Sequence, residues 1–396
     1  MGKILSFLIF LAALAYVVLP AQPQPFRDPA PKELHFWGIY DLPEVYSPII
    51  DEFKKTHPNI EVVYKQFPNS QEYQEVLMRQ LPKGKGPDIF LFSDQNRTEV
   101  VPFINPTGIE LAEAFPAYVR EVLGTERLLF GVPLWVDSLV LYYNKQYYPN
   151  GIQSNWYDFA EQTRKLSIGG VAMGRLDNLR SGWDMLKTLF LQKGIQVSGK
   201  PANNLYDVLE FFTRFAYPID PYFNWNENLN RDYPDAEIDS FAREKVAAIA
   251  GYSPLQQFLF TKIDQLKGQN LRSIAREEIG IAAFPQFTPE DPKYLGKYFF
   301  LGVSLHSSAP NEAWDFIRLL TTEENARYYQ QVTGRTPGRV LASDSNDSEL
   351  QKIQQLQLPN TSPFPISQPA QQRIEEVVGR GIKDKRLLRE ILEEAL

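Results

Sequence analysis

Residues 130–148 read FGVPLWVDSLVLYYNKQYY, and the reading of this stretch decides the fold. Its apolar and aromatic residues suit a strand. Pro133, however, has no N–H to give a ladder, and Asp137 stands alone in the apolar run. A buried carboxylate without partners is costly. The stretch is therefore either a plain buried strand or a strand that carries Asp137 to a ligand, and the flanking chain has to decide.

Upstream, residues 33–92 alternate between strand and helix periods. KELHFWGI is strand-like, and PEVYSPIIDEFKKTH places Val45, Ile49 and Phe53 on one helical face. NIEVVYKQF returns to strand. SQEYQEVLMRQL keeps Tyr73, Val76, Leu77 and Leu81 in phase, with Ser70 as the expected N-cap. Gly86-Pro87 then turns the chain into DIFLF, which suits a buried parallel strand. This β-α-β-α-β order predicts an open α/β sheet, which binds ligands beyond the carboxyl ends of its strands. Two such ends are Trp37-Gly38-Ile39-Tyr40-Asp41 and Phe92-Ser93-Asp94-Gln95, each supplying an aromatic and a carboxylate. Taken singly, these aromatics serve equally to finish a core and the acids to cap helices. Their recurrence at both ends favours a site.

Downstream, NWYDFAEQTRKL, GWDMLKTLFLQKG and NLYDVLEFFTRFA read as helices, and AREKVAAIAGYS as a helix end or turn entering a strand. EEIGIAAFPQF is a strand stopped at Pro285, and YFFLGVSLH is another. NEAWDFIRLLTTEENARYYQQVTG reads as one long helix with Trp314, Ile317 and Leu320 in register. QQRIEEVVGRG and DKRLLREILEEAL are expected as short closing helices, and 343–372 is a loosely biased segment.

The chain's 396 residues imply two or three lobes at about 150 residues each. A net charge of −7 without a Lys/Arg block speaks against a nucleic-acid partner. Zero cysteines exclude disulfides, thiol catalysis, Cys-ligated metals and a lipidated N-terminal cysteine. ILSFLIFLAALAYVVL and the Pro-rich AQPQPFRDPAP behind it make residues 1–21 a signal peptide or an uncleaved membrane anchor and 22–32 a spacer. Either places the remainder outside the cytoplasm.

Recognisable catalytic and cofactor patterns are missing. Gly194 to Lys200 has phosphate-loop spacing, but Pro201 replaces the magnesium-binding hydroxyl and a helix precedes it. Gly251-Tyr252-Ser253-Pro254-Leu255 lacks the second glycine of a nucleophile elbow. His35, His57 and His306 have no metal-ligand spacing, so neither a metal nor a cofactor is expected. Asp41, Asp94 and Asp137 leave a carboxylate pair open, as glycosidases need only two acids. Acids beside aromatic rings equally describe a sugar held without turnover, since carboxylates accept hydroxyl protons and rings stack on C–H faces.

The order of LHFWGIYD, FKKTHPNIEVVY, GKGPDIFLF, GVPLWVDSLVLYYNKQYYPNGI with NWYDF, IGIAAFPQ and GVSLHSSAPNEAWDFIRLLTTEENARYYQQVTGRTPGR resembles the extracellular solute-binding proteins of ABC importers, the family that includes maltose-binding protein. The resemblance covers about residues 33–396. It implies an α/β fold of two lobes, with hinge strands crossing between them and a cleft that closes on ligand. The N-terminal lobe would be 33–136 with 286–336, and the C-terminal lobe 137–285 with 337–396. GVPLWVDS is then the first crossing, Ala283–Gln286 the second and the stretch from Thr336 the third. Trp37, Tyr40, Asp41, Phe92, Asp94, Trp135, Asp137 and Tyr252 become the ligand-binding candidates. Trp135 replaces the small residue expected of a maltodextrin binder. Asn224 and Trp225, in PYFNWNEN, have no counterpart in the family and read as a lid packed on its own lobe.

The resemblance thus implies a monomeric solute-capture protein, not an enzyme, that delivers a sugar to permease subunits and meets the membrane through its N-terminus if uncleaved. Two alternatives stand beside it. Arg97, Arg175, Arg180, Arg335 and Arg339 offer an anion-binding cleft, and Asp41 with Asp137 offers the acid and base of a glycoside hydrolase.

Overall fold

A computed structural model describes residues 32–108, 114–124, 128–195, 203–229 and 235–384. The expected leader (1–21) and most of the spacer lie outside these residues, as does nearly all of the last expected helix. Among the described residues no helix is long and apolar enough to cross a membrane.

The first lobe begins β1 (Lys32–Ile39), α1 (Pro43–Thr56), β2 (Ile60–Phe67), α2 (Ser70–Gln80) and β3 (Ile89–Ser93). Pro43 suits the first turn of α1, where no N–H partner is needed. Tyr46, Ile49 and Phe53 form its buried face, with Val45 only partly covered. The cap of α2 is Asn69 rather than Ser70, its side chain accepting from Glu72 N at 2.8 Å. Two short helices follow, α3 (Arg97–Val100) and α4 (Ala117–Leu123), before β4 (Val132–Ser138).

Leu139 alone separates β4 from β5 (Val140–Asn144), and the chain changes lobe there. The second lobe holds α5 (Trp156–Arg164), α6 (Gly182–Gln192), α7 (Asn203–Thr213), α8 (Ala236–Ala242), β6 (Ala248–Gly251), α9 (Pro254–Gly268) and β7 (Ile279–Ala283). Residues 284–293 return to β8 (Tyr294–Val303). The single long helix expected after it is two, α10 (Pro310–Leu320) and α11 (Glu323–Thr333). Thr322 divides them by leaving helical geometry and capping Asn325 N at 3.3 Å. α12 (Glu349–Gln357) lies inside the biased segment and opens with a Ser348/Gln351 capping box. β9 (Thr361–Ser362) and α13 (Gln368–Gly381) complete the described chain.

The first-lobe sheet runs β2-β1-β3-β8-β4, with β9 beside β8. β1 pairs parallel with β2 and β3, whereas β8 lies antiparallel between β3 and β4. The second sheet, β6-β5-β7, is antiparallel throughout. Two apolar cores result. One runs from Leu34 to Val136 and resumes from Tyr298 to Tyr329, while the other spans Leu139 to Tyr294 and takes in Ile374 and Val377 of α13.

Candidate functional site

The carboxyl ends of the first-lobe strands face the second lobe, and a cavity of about 400 Å³ lies between them. Tyr40, Trp135, Asp137, Phe299 and Arg335 line it from one side, and Arg180, Asp184, Tyr252 and Phe258 from the other.

Tyr40 owes its position to backbone strain. Its φ is +72°, in a tight turn closed by Asp41 N–H donating to Ile39 O at 2.9 Å. A bulky residue seldom adopts this conformation, so the surroundings must impose it. Asp41 is what imposes it. Its Oδ2 accepts from the hydroxyls of Tyr46 and Tyr329, each at 2.8 Å, and its Oδ1 bonds Arg335. Tyr64 adds a bond to its carbonyl at 2.9 Å. Asp41 is thus 3% exposed, while the Tyr40 ring beside it is 50% exposed at the cavity edge.

Trp135 is a wall. It stacks on Phe299 at 4.1 Å and 13°, and the Arg335 guanidinium lies over its ring at 4.8 Å. Only 4% of it is exposed.

Asp137 sits at the lobe junction. Its Oδ1 accepts from Ser253 N (3.1 Å), Ser253 Oγ (2.8 Å) and Gln354 Nε2 (2.8 Å). Gln354 also donates to Ser138 O at 3.1 Å and accepts from Thr336 Oγ1 at 2.6 Å. One amide from α12 therefore ties Asp137 and Ser138 of β4, and Thr336 after α11, to Ser253 of the second lobe. Oδ2 of Asp137 accepts no hydrogen bond among the described residues, which leaves it to the cavity. Burial raises the pKa of Asp137, against the bonds from Ser253 and Gln354 and the nearby Lys297 charge, all of which lower it.

Tyr252 lies opposite, its hydroxyl pKa pushed up by burial and by the Asp184 and Asp137 carboxylates. The Lys297 ammonium rests 3.8 Å from its ring centroid. Phe258 is 45% exposed, beneath the Arg180 guanidinium at 4.6 Å.

The remaining candidates lie outside this cavity. Asp94 and Phe92 border a side chamber of about 130 Å³. Phe92 belongs to the core, its ring 5.3 Å from Phe300. Asp94 accepts from Tyr298 N at 2.9 Å, and burial pushes its carboxyl up to about 6. Trp37 packs on Phe67 with Lys65 over its ring and borders none of these cavities. Asn224 is buried, joining Gly170 N, Tyr222 O and Thr163 Oγ1 within the second lobe.

Of the five arginines, Arg180 and Arg335 reach the cavity, and each already bonds a carboxylate, Asp235 and Asp41 respectively. Asp41 does not border the cavity and both its oxygens already hold hydrogen bonds, so it is not presented to a ligand beside Asp137. Among the described residues no three His, Asp or Glu side chains gather as a metal site. Sequence reading offered Arg180 only to an anion site and passed over Asp184, Phe258, Lys297 and Phe299, since it takes the third dimension to bring them together.

The fold is shared with solved solute-binding proteins. A cyclo/maltodextrin-binding protein solved with maltotetraose superposes with a TM-score of 0.70 at 18% identity, over 93% of this chain and 96% of that one. RafE from Streptococcus pneumoniae, in its apo form, gives 0.69 at 16% identity over 93% and 98%. The sugar-binding protein MalE from Xanthomonas citri gives 0.70 at 15% identity over 92% and 95%. The sequence profile of the bacterial extracellular solute-binding proteins matches residues 41–327, most of the described chain. With two lobes and a cleft between them, the chain belongs to that family.

Proposed function

We propose that this solute-binding protein captures a sugar in the inter-lobe cavity, without turning it over, and hands it to the permease of an ABC importer. The observation that carries the reading is Asp137, with one oxygen locked to the hinge and the other open to a cavity edged by the exposed rings of Tyr40 and Phe258. A carboxylate acceptor beside aromatic faces matches the alternating O–H and C–H surfaces of a sugar. The likeness to a maltodextrin binder solved with maltotetraose supports the same class. The pairing of Arg180 and Arg335 with carboxylates argues against a bare anion site.

Capture would proceed by lobe closure. Ligand contacts made only when both lobes engage it favour the closed form, and Gln354 links the acid that meets ligand to the crossings that bend. The hydrophobic leader would export the chain or tether it beside its permease.

Titration calorimetry of the fragment from Lys32 against mono- and oligosaccharides tests this. Asp137→Asn keeps an oxygen for Ser253 and Gln354 and changes only the group facing the cavity. Its sugar affinity should fall about ten- to a hundredfold, as for a lost charged hydrogen bond. A folded wild-type fragment that binds no sugar ends the proposal, and so does release of reducing ends at a steady rate.

A further inference from the structure

Three cavities of about 400, 130 and 310 Å³ lie along the cleft, and Lys297 is the one residue that borders all three among the described residues. It rises from β8 of the first-lobe sheet, directly across from Asp137 on β4. Its tip rests on the other lobe, with Nζ 3.2 Å from Asp184 Oδ2 on α6 and 3.8 Å from the Tyr252 ring centroid. A single side chain thus spans the cleft from lobe to lobe.

We propose that Lys297 is a specificity-determining residue that sets the length of ligand the cleft accepts, by dividing one continuous cleft into separate chambers. The inference rests on the sugar reading. With the ammonium docked on Asp184 and Tyr252, a ligand beside Asp137 is confined to the chamber of about 400 Å³, near the small end of the ~300–1,000 Å³ usual for ligand pockets. Beyond the lysine, the chamber of about 310 Å³ has one apolar side, with Phe364 and Ile366 suited to the C–H face of a further sugar ring, and a polar side, with Asp94, Gln95 and Gln371 able to bond its hydroxyls. The division belongs to the stem as much as to the charge, because four methylenes cross the gap. Asp184 keeps Lys187 at 3.5 Å when Lys297 is removed, so its carboxylate is not left bare.

The experiment is calorimetry of wild type, Lys297→Ala and Lys297→Met with two matched sugar pairs, maltose with maltotetraose and cellobiose with cellotetraose. Wild type should prefer the disaccharide of the bound series by tenfold or more. Lys297→Ala should erase that preference by strengthening binding of the tetrasaccharide. Lys297→Met fills the same gap without the charge and should keep the wild-type preference, which also controls for folding. Equal changes for both lengths in Lys297→Ala, or a wild type indifferent to length, overturn the partition while leaving sugar capture standing. So does Lys297→Met behaving like Lys297→Ala. Wild type binding none of the four sugars removes the sugar reading and the partition with it.

Discussion

Asp41 and Asp137 are alike in sequence, each an acid beside aromatics at the cleft end of a first-lobe strand, yet their surroundings give them opposite work. Asp41 has both oxygens occupied, by two tyrosine hydroxyls and an arginine. Asp137 has three donors on one oxygen and no hydrogen bond from a described residue on the other. The first is an anchor that bends the backbone and thrusts Tyr40 outward. The second is an acceptor held at a fixed angle. What separates a structural carboxylate from a recognition carboxylate is the count of its lone pairs already taken, not its place on a strand.

Substitution offers the strongest way to break that contrast. Asp41→Ala leaves Arg335 and the hydroxyls of Tyr46 and Tyr329 without their acceptor in the interior, and should cost about 3–5 kcal/mol in equilibrium urea unfolding. Asp137→Asn should cost no more than about 1.5 kcal/mol in the same assay, since its three donors keep an oxygen. Equal destabilisation by the two would dissolve the distinction. Asp94 sharpens it from a third position. Its folded pKa of about 6 exceeds the ordinary 3.8, so the folded state holds the proton more tightly across that interval and stability falls as pH rises through it. The melting temperature of wild type relative to Asp94→Asn should therefore climb as pH drops from about 7 towards 4.5. A flat or inverted trend would place Asp94 with the satisfied anchors.

Much of this fold is legible in the sequence because its information is local. The strand and helix periods from residue 33 to 92 follow from spacing and turn residues, whereas a change of lobe near Asp137 was legible only through the family resemblance. Other features depend on distant partners. The strand that reads from Tyr298 starts earlier, at Tyr294, and its first residues pair with the end of β4, a partner distant in sequence. Lys297 was hidden by that misplacement. Gln354 was hidden differently, on a helix whose buried face is largely polar and whose glutamines carry no hydrophobic period. The break between α10 and α11 had a local signal, the Thr321-Thr322 pair, but the uninterrupted apolar phase on either side outweighed it. At the site, the cleft could be placed at strand ends, whereas the cations that cover Trp135, Tyr252 and Phe258 come from remote segments.

The placement of β8 has a consequence for how the chain is made. This strand sits between β3 and β4, yet it emerges only after the whole of the second sheet has been synthesised. At about 5–20 residues per second, the sheet of the first lobe waits, once Ser138 has ended β4, on the order of 10–30 seconds for Val303 to complete its inner strand. Until residue 303 is present, β3 and β4 have no common neighbour and the first core cannot close. The strand order itself therefore delays the closure of the first core to the last part of synthesis.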